Sequence, residues 1–446
     1  MELLVKPVTV WTGEEVIDDA AILIRDGRIA GVAPAGGVSS LETDARVARI
    51  DGTGKLAVPG LINAHTHLYS SLARGMSVSP FHPTSFTQIL EQLWWKLDRA
   101  LDPESIRASA LVGAMEAARC GVTTLIDHHA SPNAIPGSLD LVKEEACDRL
   151  GLRGTFCYEL SDRDGPERSE RGIEENLRFL DTVGEANPLC SGQFGLHASF
   201  TIGDETLERV ASRIPDGVGV HIHVAEGPED EIRCQEMYGV RIAQRLDRFG
   251  LLRPTSILAH CLHIDELEKD LIAERDVAVV HNPRSNMNNA VGPFDMPGFL
   301  ERGILVGLGT DGLGANMLAE LFTAGIVQKH SDADPLAGPF DALDALLFRN
   351  NPRIARRLLG GDLLGRLVQG APADIALLDY MPPTPLRSEN ALGHLLFGVA
   401  VHSLRVTDLL VAGRHVLSNG TFVDVDEEAV YAHAREQAQR LWGRLG

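Results

Sequence analysis

The chain has 446 residues, of which 44% are apolar, and a formal charge of −21. That length suits one large barrel with an appendage, or two or three domains. The acidic balance argues against nucleic acid or an anionic membrane as partner, and no run of about 18 apolar residues offers a membrane span.

The N-terminus lacks the basic and then long apolar stretch of a signal peptide. Six scattered cysteines without a CxxC pair read as reduced thiols, so a cytoplasmic location is expected. Residues 1–57 alternate short apolar runs with turn signals. Ala20-Ala21-Ile22-Leu23-Ile24 leads into Asp26-Gly27 and then Arg28-Ile29-Ala30-Gly31-Val32, a hairpin pattern. Next comes Leu56-Ala57-Val58-Pro59-Gly60-Leu61-Ile62-Asn63-Ala64-His65-Thr66-His67, an apolar run ending in two histidines at i, i+2. On a strand these share a face, so two imidazoles there can grip one divalent cation.

The middle of the chain repeats a strand-then-helix rhythm. Apolar runs fall at 61–64, 123–127, 153–158, 192–196, 219–224, 256–259, 277–280 and 304–309. Helical stretches lie between them at 103–120, 173–184, 204–214, 229–249 and 265–274. Eight such repeats predict parallel strands with crossover helices, which is a (β/α)8 TIM-like barrel over 58–367. Short strands return at 373–379, 406–412 and 415–417, and are expected to join residues 1–57 in a small composite β-sandwich domain (1–57 plus 368–425). Residues 426–446 begin acidic and end with Arg440 and Arg444, the polarity of a helix.

Polar residues close several of the apolar runs. His221 and His223 share a face at the fifth, and one of them would complete a metal site with His65 and His67. Glu226 follows three residues later, where a loop can turn it over the metal as a general acid or base. His260 closes the sixth run and Asp311, between glycines, the eighth. Any one of these alone reads as a hydrogen-bonded core histidine or a helix cap. Their conjunction at the C-terminal ends of strands is what favours a catalytic metal. His128 and His129 close the second run, His281 reads as a supporting residue, and Trp94-Trp95 read as packing. The loop 70–88 is expected to shape the pocket, with Tyr69, Arg74, Phe81, His82 and Phe86 around it; Arg74 and Phe86 are candidate substrate contacts.

These motifs resemble the amidohydrolase superfamily, in the branch of cytosine, guanine and S-adenosylhomocysteine deaminases and triazine chlorohydrolases. The resemblance rests on Pro59-Gly60-Leu61-Ile62-Asn63-Ala64-His65-Thr66-His67, Gly121-Val122-Thr123-Thr124, His223-Val224-Ala225-Glu226, His260-Cys261, His281-Asn282-Pro283-Arg284-Ser285-Asn286, Gly309-Thr310-Asp311-Gly312 and Ala371-Pro372-Ala373-Asp374. The strings Tyr69-Ser70-Ser71-Leu72-Ala73-Arg74-Gly75-Met76, Leu93-Trp94-Trp95-Lys96-Leu97-Asp98, Asp127-His128-His129-Ala130-Ser131-Pro132 and Tyr158-Glu159-Leu160-Ser161-Asp162-Arg163-Asp164-Gly165 are similar to the SsnA-like aminohydrolases within it.

The resemblance implies His65, His67, His223 and Asp311 as metal ligands. It implies Glu226 as proton carrier, His260 as the group that holds the attacking oxygen, Asp311 as acceptor of the first proton and His197 as a substrate contact. Some amidohydrolases bridge two metals with a carboxylated lysine on the fourth strand. No lysine lies between Lys143 and Lys269 here, so one divalent metal per chain is expected, Zn2+ first and Fe2+ second. The expected reaction is hydrolytic deamination of a purine- or pyrimidine-like heterocycle. The alternatives are ring opening of a cyclic amide, displacement of chloride, and a non-catalytic relative. The expected partners are a small-molecule substrate and a second copy of the chain in a homodimer.

Overall fold

The computed structural model describes residues 2–34, 47–403 and 405–445. Both chain ends feed one nine-stranded sheet. Leu56–Pro59 lies inside it, parallel to Glu2–Trp11 on one side and antiparallel to Ile375–Leu378 on the other. The hairpin of Val16–Arg25 with Arg28–Pro34 forms as its Asp26-Gly27 turn predicts. Both turn residues have positive φ, 48° and 77°, the requirement of a tight primed turn. A side chain at Gly27 would also meet the Ala412 carbonyl at 2.7 Å. The sheet buries Val5, Val10, Ile22, Ile24, Ala57, Ile375 and Leu410 in one cluster.

The remaining strands are parallel and fall into two sheets. Leu61–Thr66, Val122–His129, Arg153–Tyr158 and Cys190–Gly192 form the first; Phe194–Ala198, Val220–Val224, Ile257–His260, Ala278–His281 and Leu305–Leu308 form the second. Single parallel bridges link them at both edges, Leu160 to Leu196 and Thr66 to Asp311. Most of these strands are buried along their whole length, which is why they read as continuous apolar runs rather than alternating ones.

The chain passes from one sheet to the other at Gly60, where a Cβ would collide with Thr123 at 2.3 Å, so Leu56–Pro59 and Leu61–Thr66 belong to different sheets. Two sequence expectations are corrected here. The expected strand 192–196 divides into Cys190–Gly192 and Phe194–Ala198. The helix expected at 229–249 is two, Pro228–Tyr238 and Ile242–Arg248, parted at Gly239 with φ 69°, a left-handed helix stop.

Helix Pro103–Arg119 starts on a reciprocal cap between Asp102 and Ser105. The closing helix Glu427–Gly443 is capped by Asp426, and Trp442 beyond its middle donates Nε1–H to the Leu72 carbonyl at 2.9 Å. That bond ties the chain end to the turn that follows His67. Among the described residues no helix is long and apolar enough to cross a membrane.

Candidate active site and metal centre

Five side chains converge at the C-terminal ends of the parallel strands. His65 and His67 leave the strand Leu61–Thr66 on one face, His223 leaves Val220–Val224, His260 closes Ile257–His260, and Asp311 follows Leu305–Leu308. The Asp311 Oδ1 lies 2.9 Å from His67 Nε2 and 3.4 Å from His65 Nε2. His67 Nε2 lies 3.1 Å from His223 Nε2. The ligand-type atoms of His65, His223, His260 and Asp311 all fall within 4.8 Å of one another.

The backbone is strained where it delivers these groups. Ala225, His260, Cys261 and Asp311 all have positive φ, 47°, 73°, 54° and 53°, conformations that cost a non-glycine residue of order 1 kcal/mol or more and that gather at functional sites. Gly309 allows the last turn. A Cβ there would meet Asn282 Oδ1 at 2.5 Å and the His65 carbonyl at 2.7 Å.

The hydrogen bonds fix how each ring faces the centre. His67 Nδ1 donates to the His128 carbonyl at 2.6 Å and His223 Nδ1 to the His197 carbonyl at 2.8 Å. A neutral imidazole has one N–H, so His223 Nε2 presents a lone pair, and His67 Nε2 does the same once its proton gives way to a cation. His65 Nε2 is buried with no hydrogen-bond partner, while its Nδ1 meets His221 Nε2 at 2.9 Å. Burial holds His65 down near 3 and His223 well below the ordinary histidine range, so both rings are neutral. Burial also opposes charge on His67, but hydrogen bonding to Asp311 outweighs it and lifts that ring to about 9. The site draws in positive charge. Three imidazole nitrogens and a carboxylate oxygen fit Zn2+ or another borderline divalent cation.

A second set, His67, His128, Glu159 and His223, also lies within 4.8 Å. Its polar atoms already serve one another. His128 Nε2 donates to the His221 carbonyl at 3.0 Å, and its Nδ1 meets Glu159 Oε2 at 3.2 Å.

Glu226 stands beside the first set, its Oε2 3.4 Å from His260 Nε2. Burial pushes its carboxyl up to about 7, and Asn289 holds its Oε1 at 3.1 Å. His260 is aimed by Asn286, whose Oδ1 takes Nδ1–H at 2.7 Å. Against the cost of burial, the neighbouring His65 and His67 rings hold Asp311 well below the usual carboxylate range. The arrangement pairs an ionised carboxylate with one that is partly protonated at neutral pH, the division of labour that acid–base catalysis needs.

A cavity opens over this set. Its walls include His67, His223, Glu226 and Asp311, and also His197 and Phe86, as expected from the sequence. Arg74 is not brought there. The turn Leu68–Ala73 carries it outward, and its guanidinium grips Glu116 at 2.6 and 2.7 Å with its side chain 70% exposed. Phe81 is exposed as well. Trp94 and Trp95, read as packing, line the cavity instead. The wide π-helical turn Leu90–Trp94 shifts them round the helix axis by an amount that spacing alone does not reveal. Asp98, Glu159, Phe200 and Asp230 also line it. His281 packs flat against Phe294, centroids 4.4 Å apart, as a supporting residue.

A family model described as the amidohydrolase family matches residues 56–416. The chain belongs to the amidohydrolase family. A Pelotomaculum thermopropionicum protein named 5-methylthioadenosine/S-adenosylhomocysteine deaminase is 30% identical to it over 99% of each chain. Among solved structures, an adenosine deaminase from Xanthomonas campestris with bound zinc superposes with a TM-score of 0.83 at 25% identity over 98% of both chains. Atrazine chlorohydrolase from Arthrobacter aurescens, complexed with zinc, gives 0.81 at 25% identity over 98% of this chain and 100% of its own. The amidohydrolase chain is thus a metal-dependent hydrolase of non-peptide C–N bonds, and its His/Asp cluster is the part of it suited to a divalent ion.

Proposed function

We propose that this amidohydrolase deaminates a purine- or pyrimidine-like heterocycle by hydrolysis, using one divalent metal, zinc for preference. The observation that carries the reading is Glu226: a carboxyl lifted to about 7, 3.4 Å from His260 and across the site from ionised Asp311. His65, His67, His223 and Asp311 would hold the ion. When bound, it supplies an activated water and polarises the atom attacked.

The chain's own groups handle the protons. Asp311, kept ionised, accepts the first proton at a carboxylate oxygen. His260, its Nδ1–H anchored on Asn286, presents Nε2 to the oxygen that attacks. Glu226 donates its proton to the ring nitrogen next to the carbon attacked. Asp311 then returns a proton to the amine, which leaves as ammonia, and the hydroxyl proton of the added oxygen passes to Glu226 as the carbonyl forms, restoring both carboxyls. Phe86 and Trp94 flank the cavity and offer faces for a planar ring, while His197 contacts its edge.

The same reading takes residues 58–367 as a closed (β/α)8 barrel, residues 1–57 with 368–425 as a composite β-sandwich and 426–446 as the C-terminal helix. The edge bridges Leu160–Leu196 and Thr66–Asp311 support closure. Six unpaired cysteines support a cytoplasmic location. A homodimer is the proposed assembly.

The test is an ammonia-release assay of zinc-loaded protein against adenine nucleosides, other aminopurines and aminopyrimidines. Ammonia from at least one is the expected result. Chloride from a chlorotriazine, or a new carboxylate from a cyclic amide, with no ammonia from any amine, would replace deamination by the corresponding alternative.

A further inference from the structure

On the cavity wall formed by Asp98, Glu159, Trp95 and His197 lies a set of polar groups that the proposed chemistry does not use. Asp98 is 1% exposed. Its Oδ2 takes Arg163 Nη2 at 2.6 Å, while its Oδ1 is buried with no hydrogen-bond partner. Glu159 gives Oε2 to His128, and its Oε1 faces Arg163 at 3.4 Å and His197 at 3.7 Å. His197 Nδ1 is committed to Thr201 at 2.7 Å, and the Thr201 hydroxyl donates to the Ala198 carbonyl. The ring, neutral through burial, therefore carries its N–H on Nδ1 and leaves Nε2 as an acceptor. Three acceptors, on Asp98, Glu159 and His197, stand on one wall.

The nearest guanidinium, Arg163, already faces two carboxylates of this wall, giving Nη2 to Asp98 at 2.6 Å with Glu159 at 3.4 Å, and stacks over the Trp95 ring at 5.3 Å. Arg233 is exposed and lies over Phe200 at 5.3 Å. Among the described residues lining the cavity there are five carboxyls, Asp98, Glu159, Glu226, Asp230 and Asp311, and neither lysine nor arginine. A buried acceptor without a donor is costly, and a ligand carboxylate set beside these groups would be more so.

We propose that this wall selects heterocycles whose substituent is a hydrogen-bond donor, neutral or cationic, and turns away those whose substituent is a carboxylate or phosphate. The proposal rests on the ring binding at the metal side of this cavity, as in the proposed function. Burial holds the Asp98 carboxyl near 7, so an arriving ammonium favours its ionised form and an arriving carboxylate does not.

The test separates binding from turnover. Purines without a 6-amino group, bearing at N9 an aminoethyl, hydroxyethyl or carboxymethyl arm, are titrated calorimetrically into zinc-loaded protein, where nothing can be deaminated. The aminoethyl purine should bind ~100-fold or more tightly than the carboxymethyl purine, the size of a like-charge penalty of several kcal/mol, with the hydroxyethyl purine between them. In Asp98→Asn, with folding verified by thermal melting, that gap should shrink ~10-fold. Equal or tighter binding of the carboxymethyl purine, an unchanged gap in folded Asp98→Asn, or no binding by any of the three overturns the proposal. The 6-amino counterpart of the aminoethyl purine is then assayed for ammonia. Its failure to react, with the binding order intact, counts against deamination and leaves the selection standing.

Discussion

His67 Nε2 and His223 Nε2 face each other at 3.1 Å while the Nδ1 of each ring donates to a backbone carbonyl. Two ring nitrogens so placed repel unless a proton, which His67 holds up to about pH 9, or a metal ion sits beside them. The carbonyls of His128 and His197 thus act as orienting partners that fix which nitrogen each ring offers. His65→Ala, His67→Ala and Asp311→Asn are each expected to lose bound metal and activity together while keeping the secondary structure. Metal analysis of the purified variants checks this; full metal content in all three would refute the ligand set.

Glu226 is expected to move protons without holding metal. Glu226→Gln keeps the Asn289 contact in shape but has no proton to give, so turnover should fall by roughly 10²–10⁴-fold. Metal content should be unchanged. Near-normal turnover in the variant would remove Glu226 from the mechanism.

The pH profile follows from the same carboxyl. Burial raises it from the ordinary 4.5 to about 7, and the form that donates is the protonated one. kcat/KM should therefore hold below about pH 7 and decline above it, on a limb that Glu226→Gln abolishes. A profile that rises through pH 7 to 9 in the wild-type protein would contradict the assignment.

Glu320 gives a stability prediction away from the ligands. It is 1% exposed on helix Met317–Asp332, accepts the Arg284 N–H at 3.2 Å, and burial lifts it to about 8. A folded-state value above the unfolded one means that the folded protein holds this proton longer. The group's contribution to stability therefore falls as pH rises from about 4.5 to about 8. Glu320→Gln should melt a few degrees higher than wild type at pH 8.5, with the difference shrinking towards pH 5. A difference independent of pH would show that burial of this carboxyl is not its cause.

Gly309 is expected to be irreplaceable for a local reason. A Cβ there would meet Asn282 Oδ1 at 2.5 Å, the His65 carbonyl at 2.7 Å and the His65 Cβ at 2.9 Å, and the carbonyl is backbone that cannot swing away. Gly309→Ala should displace Asp311 or His65, and so lower metal affinity more than it lowers the melting temperature. Wild-type metal affinity in this variant would contradict that tight contact.

Much of this was legible in the sequence because strand ends are local signals. His65, His67, His223, His260 and Asp311 each close an apolar run, and a run that ends in a polar residue shows where a buried strand reaches the site. Glu226 could be read for the same reason, three residues beyond a ligand. What escaped depends on turns that spacing does not encode. The loop after His67 contains both Arg74 and Phe86; only the fold shows that the first faces Glu116 and the second the cavity. Trp94, Trp95 and Asp98 were hidden because a π-helical turn at Leu90–Trp94 resets the helical phase. The break at Gly60 was marked by its residue type, but the collision with Thr123 that requires it is a long-range contact.

The most direct measurement is ammonia release titrated against metal occupancy. Chelator-stripped protein is loaded stepwise with zinc, and ammonia production from a reactive aminopurine is followed at each step. The account predicts a linear rise that levels off at one zinc per chain. Full occupancy with no ammonia from any amino-substituted heterocycle, or a rise that continues to two metals per chain, would contradict it.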